Sequence, residues 1–98
     1  MSADSRRWVG PVLEAGPLAR ALAEVAREAN PEVRVVDRGS YVRILSPEVC
    51  EVNVRAVEEL LGSSLNLPGD LERVMPSFQG ALHFDTTTVS WRVPGRAR

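Results

Sequence analysis

The chain has 98 residues, 44% of them hydrophobic, and a formal charge of −1. That is one domain's worth of polypeptide, able to bury roughly two-thirds of its unfolded surface. Its basic residues are all arginines and do not gather into a tail or stripe of the kind that grips nucleic acid.

A single cysteine, Cys50, rules out an internal disulfide and any multi-cysteine zinc or iron–sulfur site. No apolar run approaches the roughly 20 residues that span a bilayer. Residues 1–7 are polar and expected to be mobile. With Asp4 and Arg6-Arg7 and no apolar run behind them, they do not read as a signal peptide, so a cytoplasmic location is expected.

Trp8 to Leu13 is apolar but broken by Gly10-Pro11, which predicts an extended segment lying on the domain. Pro11 offers no ladder donor and suits a sheet edge. Pro17 then fits the first turn of a helix, where its missing N–H costs nothing. Leu18, Ala21, Leu22, Val25 and Ala26 follow at i, i+3, i+4, i+7 and i+8, the spacing of an amphipathic helix with one core stripe. Arg20 and Glu24 can pair across one turn of it. Asn30-Pro31 ends the helix, because a residue before proline avoids the helical region.

Val33–Val36 and Tyr41–Leu45 read as strands joined by Asp37-Arg38-Gly39-Ser40, with Gly39 supplying a positive φ. Ser46-Pro47-Glu48 predicts a turn and Val49–Val52 a third strand. Asn53 is a good N-cap for a second helix carrying Val57, Leu60 and Leu61, and Gly62 suits its end. A looser stretch follows, with one helical turn at Gly69–Arg73. Ala81–Phe84 and Thr88–Val93 close the chain as a hairpin around Asp85-Thr86-Thr87, and the tail from Pro94 is expected to fray. The order is β-α-β-β-β-α-β-β, an α+β domain of mainly antiparallel sheet packed against two main helices. One domain is expected over 1–98.

Chemistry is sparse. His83, the only histidine, alternates with Leu82 and Phe84 and so falls on the wetter face of its strand. A diiron site needs several carboxylates and Glu-x-x-His pairs on helices. Here Gly80 lies three residues before His83, so the chain cannot house such a metal pair itself. Cys50 shares a strand face with Val52 and reads as an inert buried thiol. Glu58 and Glu59 point about 100° apart on their helix and form no acid/base pair. The glycines build no dinucleotide or phosphate loop. No cofactor is expected, and nothing supports an enzyme.

Two features stand out from this background. Trp8 is a large aromatic near a terminus, explained either by local packing or by contact with a partner. Met75-Pro76-Ser77-Phe78-Gln79-Gly80 is an apolar, small-residue segment shaped by Pro76 and Gly80. Phe78 in it is either buried or an aromatic anchor for binding.

The sequence resembles the small effector (coupling, regulatory) proteins of bacterial multicomponent diiron monooxygenases, above all those of toluene and related aromatic or alkene hydroxylases. The likeness runs from Trp8 to Val93. It rests on Val9-Gly10-Pro11, the helix ending at Asn30-Pro31, Tyr41-Val42-Arg43-Ile44, Leu60-Leu61-Gly62 and Ser77-Phe78-Gln79-Gly80, in that order.

The resemblance implies a cofactor-free, non-catalytic protein that docks on the large diiron subunit of a hydroxylase, with the ferredoxin component as a competitor. It implies control of oxygen activation, substrate access and regiochemistry. It assigns the inserting edge to Ser77, Phe78, Gln79 and Gly80, preceded by Pro76, with Trp8, Val9, Gly10 and Pro11 as secondary candidates and Arg43 as either a rim contact or a structural residue. Pro76 and Gln79 depart from the smaller residues frequent in relatives. An exposed apolar loop would favour weak self-association in the absence of its partner. The rival reading is a stand-alone α+β module that binds a metabolite or serves another assembly. Neither reading involves nucleic acid or a membrane.

Overall fold

The computed structural model describes residues 6–94; the mobility expected of residues 1–5 and of 95–98 lies outside the described residues. Strand β1 (Trp8–Glu14) leads into helix α1 (Pro17–Ala29), then β2 (Arg34–Asp37), β3 (Tyr41–Pro47) and β4 (Val49–Asn53). Helices α2 (Val54–Leu61) and α3 (Gly69–Val74) follow, and β5 (Ser77–Gln79), β6 (Ala81–Phe84) and β7 (Thr88–Arg92) complete the order. The α+β class and the predicted order hold. The short strand β5 is added within the segment read as a loop.

The strands form two antiparallel sheets, β2-β3-β1-β5 and β4-β7-β6. Between and beneath them lies one core, in which Trp91, Leu13, Ile44, Val52 and Val57 are fully buried. Helix α1 packs on β4 and α2, presenting Leu22, Val25 and four alanines as its buried face. Burying Leu22 and Val25 contributes about 1.5–3 kcal/mol each. Leu18 is only half-buried. Glu24 pairs with Arg27 at 3.7 Å rather than with Arg20.

Local signals behave as their chemistry dictates. Asn53 Oδ1 accepts from the Ala56 amide at 2.9 Å and starts α2. Gly62 ends it with φ 80°. Gly39 turns β2 into β3, its amide donating to Asp37 Oδ1 at 2.8 Å. Asp85 Oδ1 accepts from the Thr87 and Thr88 amides at 2.8 and 2.9 Å, closing the β6–β7 hairpin. These bonds hold the Asp85 carboxyl below the usual carboxylate range.

Four expectations are corrected. First, β1 is an interior strand, not an edge. Its ladder to β3 pairs Val9 with Ser46 and resumes at Val12 with Arg43, passing over Gly10 and Pro11. The missing Pro11 donor is accommodated in that gap. Second, Ser46 and Pro47 belong to β3, and the turn shrinks to Glu48 alone, at φ 71°. Glu48 is anchored at three points. Its amide donates to the Arg7 carbonyl at 2.7 Å, its carbonyl accepts from the Val93 amide at 3.2 Å, and its Oε2 accepts from the Arg7 amide at 3.2 Å.

Third, Leu60 is 56% exposed. The short α2 buries Val54 and Val57, and Leu60 rotates off that stripe. Fourth, Phe84 shares a face with Leu82 but is 45% exposed, because it ends an edge strand beyond the cover of the core.

Candidate functional interface

The chain crosses between its sheets at two single residues, Glu48 between β3 and β4 and Gly80 between β5 and β6. Both have positive φ, 71° and 99°. At Gly80 there is no room for a side chain. A Cβ would lie 2.8 Å from the Arg92 carbonyl oxygen and 2.9 Å from Val9 Cγ1. Gly10 is tighter still, with a Cβ position 2.0 Å from the Ile44 carbonyl oxygen. These two glycines hold backbones together, and the buried Val9 and Pro11 pack inward beside them. The sequence alone does not show which members of the segment are scaffold and which are surface.

The surface members lie elsewhere. Ser77, Phe78 and Gln79 are all exposed on β5, an edge strand paired only with β1 in its sheet. Pro76 precedes them, also exposed. Directly opposed residues in an antiparallel ladder share a face. Ser77 opposite Val12 and Gln79 opposite Gly10 therefore belong to the outer face of the sheet. Phe78 lies opposite Pro11, towards the inner side, yet at the edge it stays 39% exposed. An aromatic so placed presents apolar area without being required by the core.

Trp8 resolves into an intermediate position. It is partly buried, opposite Pro47, and the Arg34 guanidinium stacks over its ring at 4.1 Å from the centroid. Arg6 adds a second, longer approach at 5.9 Å while bridging to Glu32 at 2.8 Å. Arg34 was not among the residues singled out from sequence. Only the pairing of β2 with β3 brings it near Trp8. Arg43 is exposed on the outer face between Val12 and Val36.

Chemical equipment is sparse in three dimensions also. His83 is exposed on β6. Among the described residues no group of three or more His, Cys, Asp or Glu side chains is placed to hold a metal. The apolar space bounded by Leu22, Val57, Leu71 and Val89 is about 10 Å³, room for one water at most. No described helix is long and apolar enough to cross a membrane.

Cys50 is 1% exposed, and burial pushes its thiol up to about 12. The folded protein should therefore resist iodoacetamide at pH 8 and react fully in denaturant, as read by intact mass. Rapid labelling of the native protein would contradict this burial.

Residues 7–92 match the MmoB/DmpM family, and the chain belongs to it. A curated relative, the effector subunit of the alkene monooxygenase system of Xanthobacter autotrophicus (strain ATCC BAA-1158 / Py2), is 38% identical over 85 residues. That alignment covers 85% of this chain and 83% of the relative.

The fold is shared with a phenol hydroxylase–regulatory protein complex chain, at TM-score 0.75 and 22% identity over 88% of this chain and 98% of that one. It is also shared with the soluble methane monooxygenase regulatory protein B, at TM-score 0.69 and 22% identity over 94% of this chain and 69% of that chain.

Proposed function

We propose that this protein is the non-catalytic effector component of a multicomponent diiron monooxygenase, and that residues 1–98 form one effector domain. The observation that carries the reading is the 38% identity, spread over 85 residues, to an alkene monooxygenase effector subunit. The partner is the large, diiron-bearing subunit of the hydroxylase, and the substrate class is a hydrocarbon, aromatic or alkene. The exposed edge Ser77-Phe78-Gln79, with Pro76 before it, is the inserting contact. Gly80, Gly10, Pro11 and Val9 act from behind as the rigid seat. Competition with the ferredoxin, weak self-association through the same edge and a cytoplasmic location belong to this reading.

An effector moves a hydroxylase only by binding one of its conformations better than another. A coupling of about 1–3 kcal/mol, or about 5–150-fold, is ordinary for such a switch. By linkage, the reduced or substrate-loaded hydroxylase changes effector affinity by the same factor.

The test is steady-state oxidation by the cognate hydroxylase and its electron-transfer chain, titrated with this protein. Coupled turnover should rise and saturate near one effector per active site. Phe78→Ala should shift the titration midpoint by about tenfold or more while leaving the thermal midpoint close to wild type. A flat titration with no binding by calorimetry would defeat the effector reading and return the metabolite-binding or assembly module to first place.

A further inference from the structure

Among the described residues Glu48 is the one residue other than glycine that holds a positive φ, 71°. A side chain in that conformation carries a strain that glycine would not. Glu48 is also the whole connection between β3 (Tyr41–Pro47) and β4 (Val49–Asn53). Straightening it would run the two strands together into one extended segment from Tyr41 to Asn53. Pro47, its φ fixed by the ring, stiffens that segment on one side.

The chain also divides at this point into two structural halves. Strands β2, β3 and β1 all precede Glu48, and strands β4, β7 and β6 all follow it. Each half therefore keeps its own three-stranded sheet whatever the hinge does. The halves are joined by the β5–β1 ladder, by α1 packed on β4 and α2, and by the paired Asn30–Glu51 hydrogen bonds. None of these contacts requires both halves to belong to one molecule. The bonds from Glu48 to Arg7 and Val93 do hold the bent form. Strain and anchorage thus oppose each other at a single residue.

We infer that Glu48 is a strained hinge about which two copies of this chain exchange halves, residues 6–47 of one closing on 49–94 of the other. The swapped dimer remakes the ladders and core of the monomer, gives up the hinge bonds and releases two left-handed residues. Mass action sets the balance, with monomer favoured when dilute and dimer when concentrated. This differs from association through the exposed β5 edge. In the swapped form β5 pairs with the β1 of the other copy, and the two states interconvert only by opening the core. The hinge does not depend on the effector reading.

The experiment refolds the full-length protein from urea at a low and at an about hundredfold higher concentration. Both samples are then brought to one dilution and resolved by size-exclusion chromatography with light scattering. Wild type should be monomeric after dilute refolding. After concentrated refolding it should carry a dimer fraction that persists on dilution and reverts only through unfolding. Glu48→Ala keeps the strain and Glu48→Gly relieves it, while both lose the same carboxylate bond to the Arg7 amide. The dimer association constant should therefore be about tenfold or more higher in Glu48→Ala than in Glu48→Gly. Neither substitution adds bulk, so both should fold. Equal constants in the two variants, a dimer that disperses as soon as it is diluted, or no dimer from concentrated wild type would each overturn the hinge.

Discussion

Gly10→Ala should destabilise the protein by about 2–5 kcal/mol in equilibrium urea unfolding, the largest effect expected of any single methyl group in this chain. Two terms combine. The Gly10 φ of 146° lies where side chains are rarely accommodated, and a Cβ there would stand 2.0 Å from the Ile44 carbonyl oxygen. The obstacle is backbone of the neighbouring strand, so no rotamer change relieves it. The β1–β3 ladder would have to open. Conformational strain of about 1–2 kcal/mol and overpacking of about 1–3 kcal/mol set the range. A loss below about 1 kcal/mol would show that the close approach is not intrinsic to the fold. Because Gly10 carries no partner-facing group, any drop in effector activity should track the unfolded fraction.

Asn30→Ala should cost about 1–3 kcal/mol and leave the helix boundary in place. From sequence this residue is only the stop before Pro31. In the structure it is 5% exposed and serves as a surrogate strand. Its Nδ2 donates to the Glu51 carbonyl at 3.0 Å, and its Oδ1 accepts from the Glu51 amide at 3.1 Å. One amide side chain thus satisfies both backbone groups of a residue on β4, an edge strand of its sheet.

Nδ2 also donates to the Ala26 carbonyl at 2.9 Å, which keeps the Asn30 backbone amide as a partner after the substitution. Removal therefore takes the partner from two part-buried Glu51 groups rather than from the helix end, and a group left unsatisfied in proportion to its burial is what makes a lost bond expensive. The check is a urea midpoint together with hydrogen exchange at Glu51. Unchanged protection of that amide in Asn30→Ala would contradict the account. Asn30→Asp should fail to rescue, since a carboxylate cannot donate to either carbonyl.

The contrast between these two residues marks where sequence reasoning succeeds. Gly10 and Asn30 were both visible as punctuation, a break in a strand and an end to a helix. What each one touches was not, because Ile44 and Glu51 lie 34 and 21 positions away along the chain. The functional candidates divide in the same way. Phe78, Ser77 and Gln79 could be suspected from composition and resemblance, and they are exposed. Gly80, Gly10, Val9 and Pro11 carry the same family likeness but face inward or hold backbones together. Arg34 escaped notice because nothing in its neighbourhood of sequence announces a tryptophan.

By itself the sequence determined the α1 span from Pro17, its stop at Asn30-Pro31, the Asn53 cap, the Gly39 and Asp85 turns, the α+β class and the family. Those features rest on propensities and hydrogen bonds that close within a few residues, so local chemistry is sufficient. Only the tertiary structure decided that β1 is interior, that single residues carry the chain between sheets, and that Leu60 and Phe84 face solvent. It alone set Trp8 beneath Arg34. Each of those outcomes depends on which distant backbone arrives alongside, and a period-2 or period-3.6 pattern shows which face is apolar without showing what will cover it.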